Sequence, residues 1–463
     1  MSLSDLLTQP EGKSLEFKEK VPESLTLAKT ACAFANGGGG TIIIGMRDKD
    51  RAIVGLEEGK IPVLEEKVAN ILHTTVEPMV ASYITVHNRE GMLILKVDIF
   101  PGSMKPYHLK GRDEVEGTYI RVGSTNRKAD LETVEELRRQ RMNICFDEVA
   151  VLEAREEELD HENIKYYLRK RREVRDIPEV EMTRDFLVKI RALKKIDDHA
   201  YPTVGGLLLF SKDPTKYLSS AVVKCARFKG QEMDEFLDQK EVVGPLFKQV
   251  EEVIAFFRRN VRRGAKREGV YRKEEYEYPL GAVREAVVNA ICHRDYSRRG
   301  ADIKFAIFDD RLEVTSPGPL PPQISLRDLG TGVSELRNRV IGRIFNEIGL
   351  IEGWGTGIRR IKQLLEKRGL KPPEFQEQAN FFKVIFFSEP IISDLDDDEK
   401  IILKYIKNHG RAQTKELENE TGKSASTIKR KIKRLVGKGL LQWKGKSQKD
   451  PTGYYVLTKH ELV

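Results

Sequence analysis

At 463 residues the chain exceeds what one hydrophobic core usually organises, and about three domains are expected. With 40% hydrophobic and 33% charged residues, and no apolar run near the roughly 20 residues of a membrane helix, the composition suits a soluble globular protein and excludes a membrane partner. The net charge of +8 is unevenly placed: residues 399–463 hold 16 Lys+Arg against 6 Asp+Glu, and the remainder holds 64 against 66, so polyanion binding is expected first at the C-terminal end.

The start, MSLSDLLTQPEGK, lacks the basic and apolar regions of a signal peptide, so a cytoplasmic location is expected. Cys32, Cys145, Cys225 and Cys292 are too scattered for a C-x-x-C pair and read as reduced, mostly buried thiols.

Residues 1–130 read as an α+β unit. SLEFK alternates, placing Glu16 and Lys18 on one strand face with Leu15 and Phe17 on the other. Ser24 is positioned to cap a helix through LTLAKTACAFA, which Asn36 and Gly37 end, and TIIIG is a short buried strand. A charged turn at 47–51, a helix near 62–75, and the strands ASYITVH, MLILKVDIF and TYIRVG follow. Glu11, Glu16 and Asp48 with Lys18 are the residue types that hold Mg²⁺ or Mn²⁺ against a phosphodiester. The same residues equally suit a surface charge pair at Glu16 and Lys18, a turn at Asp48 and plain surface at Glu11, because positions five apart converge on neither a strand nor a helix face. The tetraglycine Gly37–Gly40 has no G-x4-G-K-[ST] and reads as a turn that lets a strand pass close. Lys105, Lys110, Arg112, Arg121, Arg127 and Lys128 are candidates for a phosphate path.

The series E-x4-E-F-K, A-F-A-N-G-G-G-G, I-I-I-G-x-x-D and Y-I-R-V-G-S-x-N-R at 119–127 resembles the Schlafen AlbA-type domain. That resemblance implies a metal-dependent endoribonuclease acting on tRNA or other RNA, with Glu11, Glu16 and Asp48 as metal ligands and Lys18 beside them. It also makes a homodimer the first expectation, since the eukaryotic enzymes use two such lobes.

Residues 131–142 read as a charged helix, and EAREEELDHENIKYYLRKRREV as a charged helical connector with a solvated face. Beyond it, elements alternate, including the buried run TVGGLLLF and a long amphipathic helix near 241–263. In PLGAVREAVVNAICHRDYSRRG, Glu285, Asn289 and His293 form one helical stripe, either a polar edge or a pair able to orient water and complete a Mg²⁺ shell. His293 reads as the helix end, where its charge suits the dipole. Two strands follow, then S-P-G-P-L-P at 316–321, G-x-G at 330–332 and G-W-G-T-G-I-R-R-I opening a helix.

This order of parts, over roughly 270–390, resembles a divergent GHKL (Bergerat) ATP-binding domain of the RecG-related C-terminal type. The resemblance implies ATP as cofactor, Asn289 as metal ligand, Glu285 as the residue that orients water, and Gly318, Gly353, Gly355 and Gly357 near the nucleotide. The adenine-reading aspartate of the family's D-x-G is Ser316 here. The division expected is 1–130, 131–270, 271–390 and 399–463.

After the acidic linker SEPIISDLDDDE, residues 399–463 give three helices and two strands, the layout of a winged helix. A stripe of Ile401, Ile402, Tyr405 and Ile406 fills the first helix. STIKRKIKRLVGKGLL turns Ile428, Ile432 and Leu435 inward and Lys429, Arg430, Lys433 and Arg434 outward, a face suited to the DNA major groove, with a wing from Lys444 to Tyr454. Two functions fit the whole: an RNA-cutting enzyme tuned by nucleotide, or an ATP-binding, DNA-binding transcription regulator that cuts nothing.

Overall fold

The computed structural model describes residues 3–463 apart from 177, 179, 262, 269–270, 322–323, 354, 379, 389–394, 438–439, 446–452 and 458–463. The chain is mixed α/β with several domains, as its alternating periodicities require.

The N-terminal sheet is built from β1 (Leu15–Lys18), β2 (Gly40–Ile44), β3 (Ser82–Arg89) and β4 (Met92–Ile99), in the order β1-β2-β4-β3, with α1 (Ser24–Asn36) crossing between the parallel pair β1 and β2. Ser24 is the first helical residue and Glu23 occupies the cap position, so the expected Ser24 cap is not made. One sheet face packs Ile42, Ile44, Leu95 and Val97 against α1 and α2 (Ile61–Thr75). The other packs Leu15, Phe17, Ile43 and Ile94 into a smaller cluster with Leu6 and Met46, which is why alternation in β1 has apolar residues on one side. Gly40 is required by space: a Cβ there would lie 2.7 Å from the Phe34 ring. The hairpin β5 (Tyr119–Val122) and β6 (Thr125–Lys128) lies against α1 and leads into α3 (Leu131–Arg141).

One core then runs from Ala154 to Phe386, so the segments 131–270 and 271–390 share a single hydrophobic cluster. Its six-stranded sheet has the order β8-β7-β9-β10-β12-β11: β7 (Val223–Phe228), β8 (Phe236–Val242), β9 (Ile303–Ile307), β10 (Arg311–Pro317), β11 (Glu374–Gln378) and β12 (Phe381–Phe387). Within this sheet β7 and β9 pair in parallel and the other pairs are antiparallel. The buried run TVGGLLLF forms a helix, α4 (Val204–Phe210). The amphipathic helix is shorter than expected, α5 (Leu246–Asn260), because Glu241 and Val242 belong to β8. The charged connector is helical only over His161–Arg175, and Ile164 and Tyr167 bury its inner face in this core. Beside the sheet lie α6 (Leu280–Cys292), α7 (Arg339–Glu347) and α8 (Gly357–Glu366).

The C-terminal domain comprises α9 (Asp397–His409), α10 (Thr414–Thr421), α11 (Ala425–Gly437) and the antiparallel pair β13 (Leu441–Lys444) and β14 (Tyr454–Leu457). Asp396 and Glu399 cap α9 reciprocally. Ile402, Leu403 and Ile406 meet Ile428, Ile432 and Leu435 in the core; Ile401, expected inside, is exposed, and Leu403 takes its place. Among the described residues no helix is long and apolar enough to cross a membrane, and no cysteine is in a disulfide.

Candidate functional sites

Glu16 and Lys18 do share one face of β1, and Lys18 Nζ lies 2.5 Å from Glu16 Oε1 and 4.0 Å from Glu11 Oε1. Glu16 is only 6% exposed, so it is no surface pair. Its second oxygen meets the Arg121 guanidinium, which also donates to the carbonyls of Gly12 (3.0 Å) and Leu15 (3.4 Å) and to Asn126 Oδ1 (2.9 Å), and lies over the Phe34 ring. Glu11 folds back as a loop residue and accepts the Phe17 N–H at 2.7 Å. Burial raises its carboxyl above the ordinary range, and the charges of Glu16 and Asp48 add to that rise. Asp48 stands in an exposed turn.

A divalent ion needs carboxylate oxygens free to converge on it. Here both oxygens of Glu16 face cations and one oxygen of Glu11 is spent on backbone. Among the described residues no group of three or more His, Cys, Asp or Glu is disposed to hold a metal. This arrangement does not fit Mg²⁺ or Mn²⁺.

Of the expected phosphate path, Lys110, Arg112, Arg127 and Lys128 are exposed, Lys128 being paired with Glu116. Arg121 and Lys105 are not on such a surface: Arg121 is turned inward to Glu16 because a buried carboxylate needs a cation, and Lys105 is 5% exposed. The helix α1 ends at Asn36 with Gly37 as its C-cap, as expected, and the Asn36 side chain has a further role. Its side chain donates to the carbonyls of Tyr107 (2.7 Å) and Tyr119 (3.0 Å) and accepts the Tyr107 N–H, tying α1 to β5.

The central domain is different. Glu285, Asn289, Gly318, Gly353, Gly355 and Gly357, drawn from α6, the end of β10 and the loop before α8, all line one cavity of about 530 Å³. Asn289 Nδ2 donates to Glu285 Oε1 (3.3 Å), and burial raises the Glu285 carboxyl, against the nearby Arg360 charge. Gly357 lies close to Glu285: a Cβ there would sit 2.1 Å from Glu285 Oε1, the flexible end of that side chain. Ser316 is buried, lines the same cavity and gives its hydroxyl hydrogen to the Ala290 carbonyl (2.8 Å). Gly318, at φ +107°, lets the Arg337 guanidinium pass beside it and donate to the Pro319 carbonyl. His293 follows α6, but its charge does not serve the dipole: burial and then the Arg337 charge push the imidazole down to about 4.

In the winged helix Lys429, Arg430, Lys433 and Arg434 are all exposed on α11, as is Lys444 at the end of β13. Arg434 also reaches toward buried Glu399 at 3.6 Å, and Lys431 is tied to Asp396 (2.6 Å) and Asp398 (3.1 Å), so Lys429, Arg430 and Lys433 are the freest cations of that face. The tip of the wing lies outside the described residues.

An α+β domain, a central α/β domain with a cavity edged by Glu285 and Asn289, and a winged helix with a basic face define a multidomain protein organised for nucleic-acid contact. Part by part, residues 11–130 match the family described as "Schlafen, AlbA_2", residues 300–386 the family described as "Putative ATP-dependent DNA helicase recG C-terminal", and residues 395–442 the family described as "Winged helix-turn-helix DNA-binding". Solved structures with likeness include the DIP2311 protein from Corynebacterium diphtheriae, 20% identical with a TM-score of 0.44 over 96% of this chain and 92% of that one. Another is the N-terminal domain of a RecG-related protein from Nitrosomonas europaea, 20% identical with a TM-score of 0.21 over 28% of this chain and 95% of that one. At these TM-scores neither likeness bears on function. No curated protein matches the chain.

Proposed function

We propose that this protein is a nucleotide-responsive, DNA-binding regulator. One observation carries the reading: the six residues separated by up to 72 positions, from Glu285 to Gly357, meet around one cavity in the chain that also bears a basic α11. A cavity of about 530 Å³ is of the size that takes a small ligand, commonly about 300–1,000 Å³. Its donor set suits a nucleotide. Thr356 makes no side-chain cap on α8, and Gly357 and Ile358 of its first turn line the cavity, where their N–H groups would serve phosphate oxygens. Asn289 would hold a nucleotide-bound cation through its amide oxygen, and Glu285 would orient a water beside it. ATP with Mg²⁺ supplies the phosphate charge that such a site reads.

Calorimetry tests this directly. ATP–Mg²⁺ should bind the full chain and bind Asn289→Ala about tenfold or more weakly; equal affinity would remove the metal role. Duplex DNA binding should fall on replacing Lys429, Arg430 and Lys433 by Gln and should shift when ATP is added. Cleavage is no part of this reading, because Glu16 is held between two cations. Incubation with tRNA, single-stranded RNA and DNA plus Mg²⁺ or Mn²⁺ should leave all of them intact. Metal-dependent cutting that disappears in Glu16→Gln would overturn it and restore the nuclease.

A further inference from the structure

A sheet edge offers a row of unpaired N–H and C=O groups to any other strand, and folds close such edges with charge, bulges, shortness or a covering segment. Three of the four edges of the two large sheets are closed in this way. β1 has four residues, and its outward groups are taken: the Phe17 N–H by Glu11 at 2.7 Å and the Leu15 carbonyl by the Gly12 N–H at 3.1 Å. β8 carries Asp238, Lys240 and Glu241, and its pairing with β7 shifts register between Arg227 and Phe228. β11 carries Glu374 and Glu377, the latter held by Lys13 at 2.7 Å.

β3 has none of these devices. It runs for eight residues, paired with β4 without a register shift and, among the described residues, with no strand on its other side. Its residues from Ser82 to Asn88 include no proline, lysine or carboxylate. The parity of its hydrogen bonds follows from its two ends. The two-residue turn Glu90–Gly91, with φ of +53° and +83°, makes Arg89 and Met92 a hydrogen-bonded pair, and the Phe100 N–H reaches the Ala81 carbonyl at 2.9 Å. Odd-numbered residues therefore bond to β4, and Ser82, Ile84, Val86 and Asn88 turn their N–H and C=O groups outward. Beside this edge Tyr83 (61%), Val86 (39%) and Phe100 (50%) stand exposed.

We infer that β3 pairs antiparallel with β3 of a second copy of this chain, about a two-fold axis between the two copies of Thr85, joining the two four-stranded sheets into one. The strand's own sequence selects that occupant, because it complements itself in this register. Hydrogen-bonded pairs set Val86 against the partner's Ile84 and Asn88 against the partner's Ser82, apolar on apolar and amide on hydroxyl. The pairs between them set Tyr83 against the partner's His87, ring on ring, and Thr85 against the partner's Thr85. Sliding by two residues in either direction would put Ile84 against Asn88 or Val86 against Ser82. This pairing depends on neither the proposed nucleotide cavity nor α11.

Sedimentation velocity on the full chain over a range of concentrations tests this. A dimer is expected, and a monomer throughout overturns the pairing. Val86→Pro removes an outward N–H at both symmetry-related places and none that β4 uses, and should raise the dimer dissociation constant about tenfold or more. Thr85→Lys and Thr85→Glu each set like charges face to face at the axis and should weaken the dimer as well. Mixing these two variants should restore a one-to-one pair, because the facing charges are then opposite. Both keep the backbone bonds to β4, so their circular dichroism should match that of wild type even where Val86→Pro disturbs the fold. A dimer that all three substitutions leave intact overturns the interface. Thr85 variants that weaken singly and fail to pair when mixed overturn the register.

Discussion

Glu16 and Arg121 lie 105 positions apart, and their side chains are 8% and 3% exposed in the folded pair. Removing Arg121 leaves the Glu16 oxygen that faced it unpaired while Lys18 still meets the other, so the cost falls below the roughly 3–5 kcal/mol of a fully stranded buried charge, and removing both partners leaves no buried oxygen unpaired. Arg121→Ala should therefore unfold at clearly lower urea, and adding Glu16→Gln should recover a large part of the loss; additive losses in the double variant would show that the two do not interact. Two other groups set opposing pH dependences. Asp147 accepts the N–H groups of Val340 (2.7 Å) and Ile341 (3.0 Å), yet burial outweighs them and raises its carboxyl from 3.8 to about 6. Its stabilising contribution is thus present at low pH and lost as pH rises through that window, because the folded state keeps a proton that the unfolded chain releases. His293 has the opposite sign: lowered from 6.5 to about 4, it favours the folded state at neutral pH and loses that contribution as pH falls. Urea titrations across this window should show stability falling more steeply with rising pH in His293→Gln than in wild type, and rising in Asp147→Asn. Parallel curves for all three proteins would contradict both assignments. Strand alternation made the facing of Glu16 and Lys18 legible in the sequence, but not Arg121, whose distance along the chain leaves no local periodicity to betray it.

The elements of the proposed nucleotide cavity were the most legible part of the molecule. A helix fixes which residues share a face, so Glu285 and Asn289 are neighbours by spacing alone, and the glycines of 353–357 announce a tight turn before a helix. What spacing does not carry is the approach of Glu285 to Gly357 from another helix. This separates stability from binding in one substitution. In Gly357→Ala the new methyl meets the flexible end of Glu285, which can swing aside, and Ala is the better helix former by up to about 1 kcal/mol. The variant should melt near the wild-type temperature and bind ATP–Mg²⁺ about tenfold or more weakly by calorimetry; wild-type affinity would show that Glu285 does not address the ligand. The run TVGGLLLF was legible as buried but not as α4, because a continuous apolar stretch lacks the periodicity that distinguishes a helix from a strand. Its glycines supply the missing reason, since a Cβ at Gly206 would lie 2.1 Å from the Ala192 carbonyl oxygen.

Across the whole molecule, two cavities share a wall. Pro319, Leu320 and Pro321, with Glu335, Leu336, Arg337 and Arg339, line both the proposed nucleotide cavity and a second cleft, of about 910 Å³, where the N-terminal domain, α3 and the central domain meet. Arg337 is the pivot of that wall: it donates to the Pro319 carbonyl, faces Asp295 at 3.8 Å, and passes beside Gly318 where the chain leaves β10. Side chains that would touch a ligand on each side give occupancy of one cavity a route to change the free energy of filling the other. Thermodynamic linkage fixes the form of that change even though geometry leaves its sign open. With an oligonucleotide as the ligand of the cleft, the class that the resemblance of residues 11–130 implies, ATP–Mg²⁺ must alter oligonucleotide affinity by the same factor by which the oligonucleotide alters ATP affinity. In the protein with a neutralised α11, titrating each ligand with and without saturating amounts of the other should give two equal factors of about fivefold or more. Replacing Arg337 by Gln should bring both factors toward one together, because the substitution removes the contact that ties the shared wall to Asp295 and Pro319. Factors of one in the unsubstituted wall would mean that the two cavities act independently, and that the winged helix receives no signal through this segment.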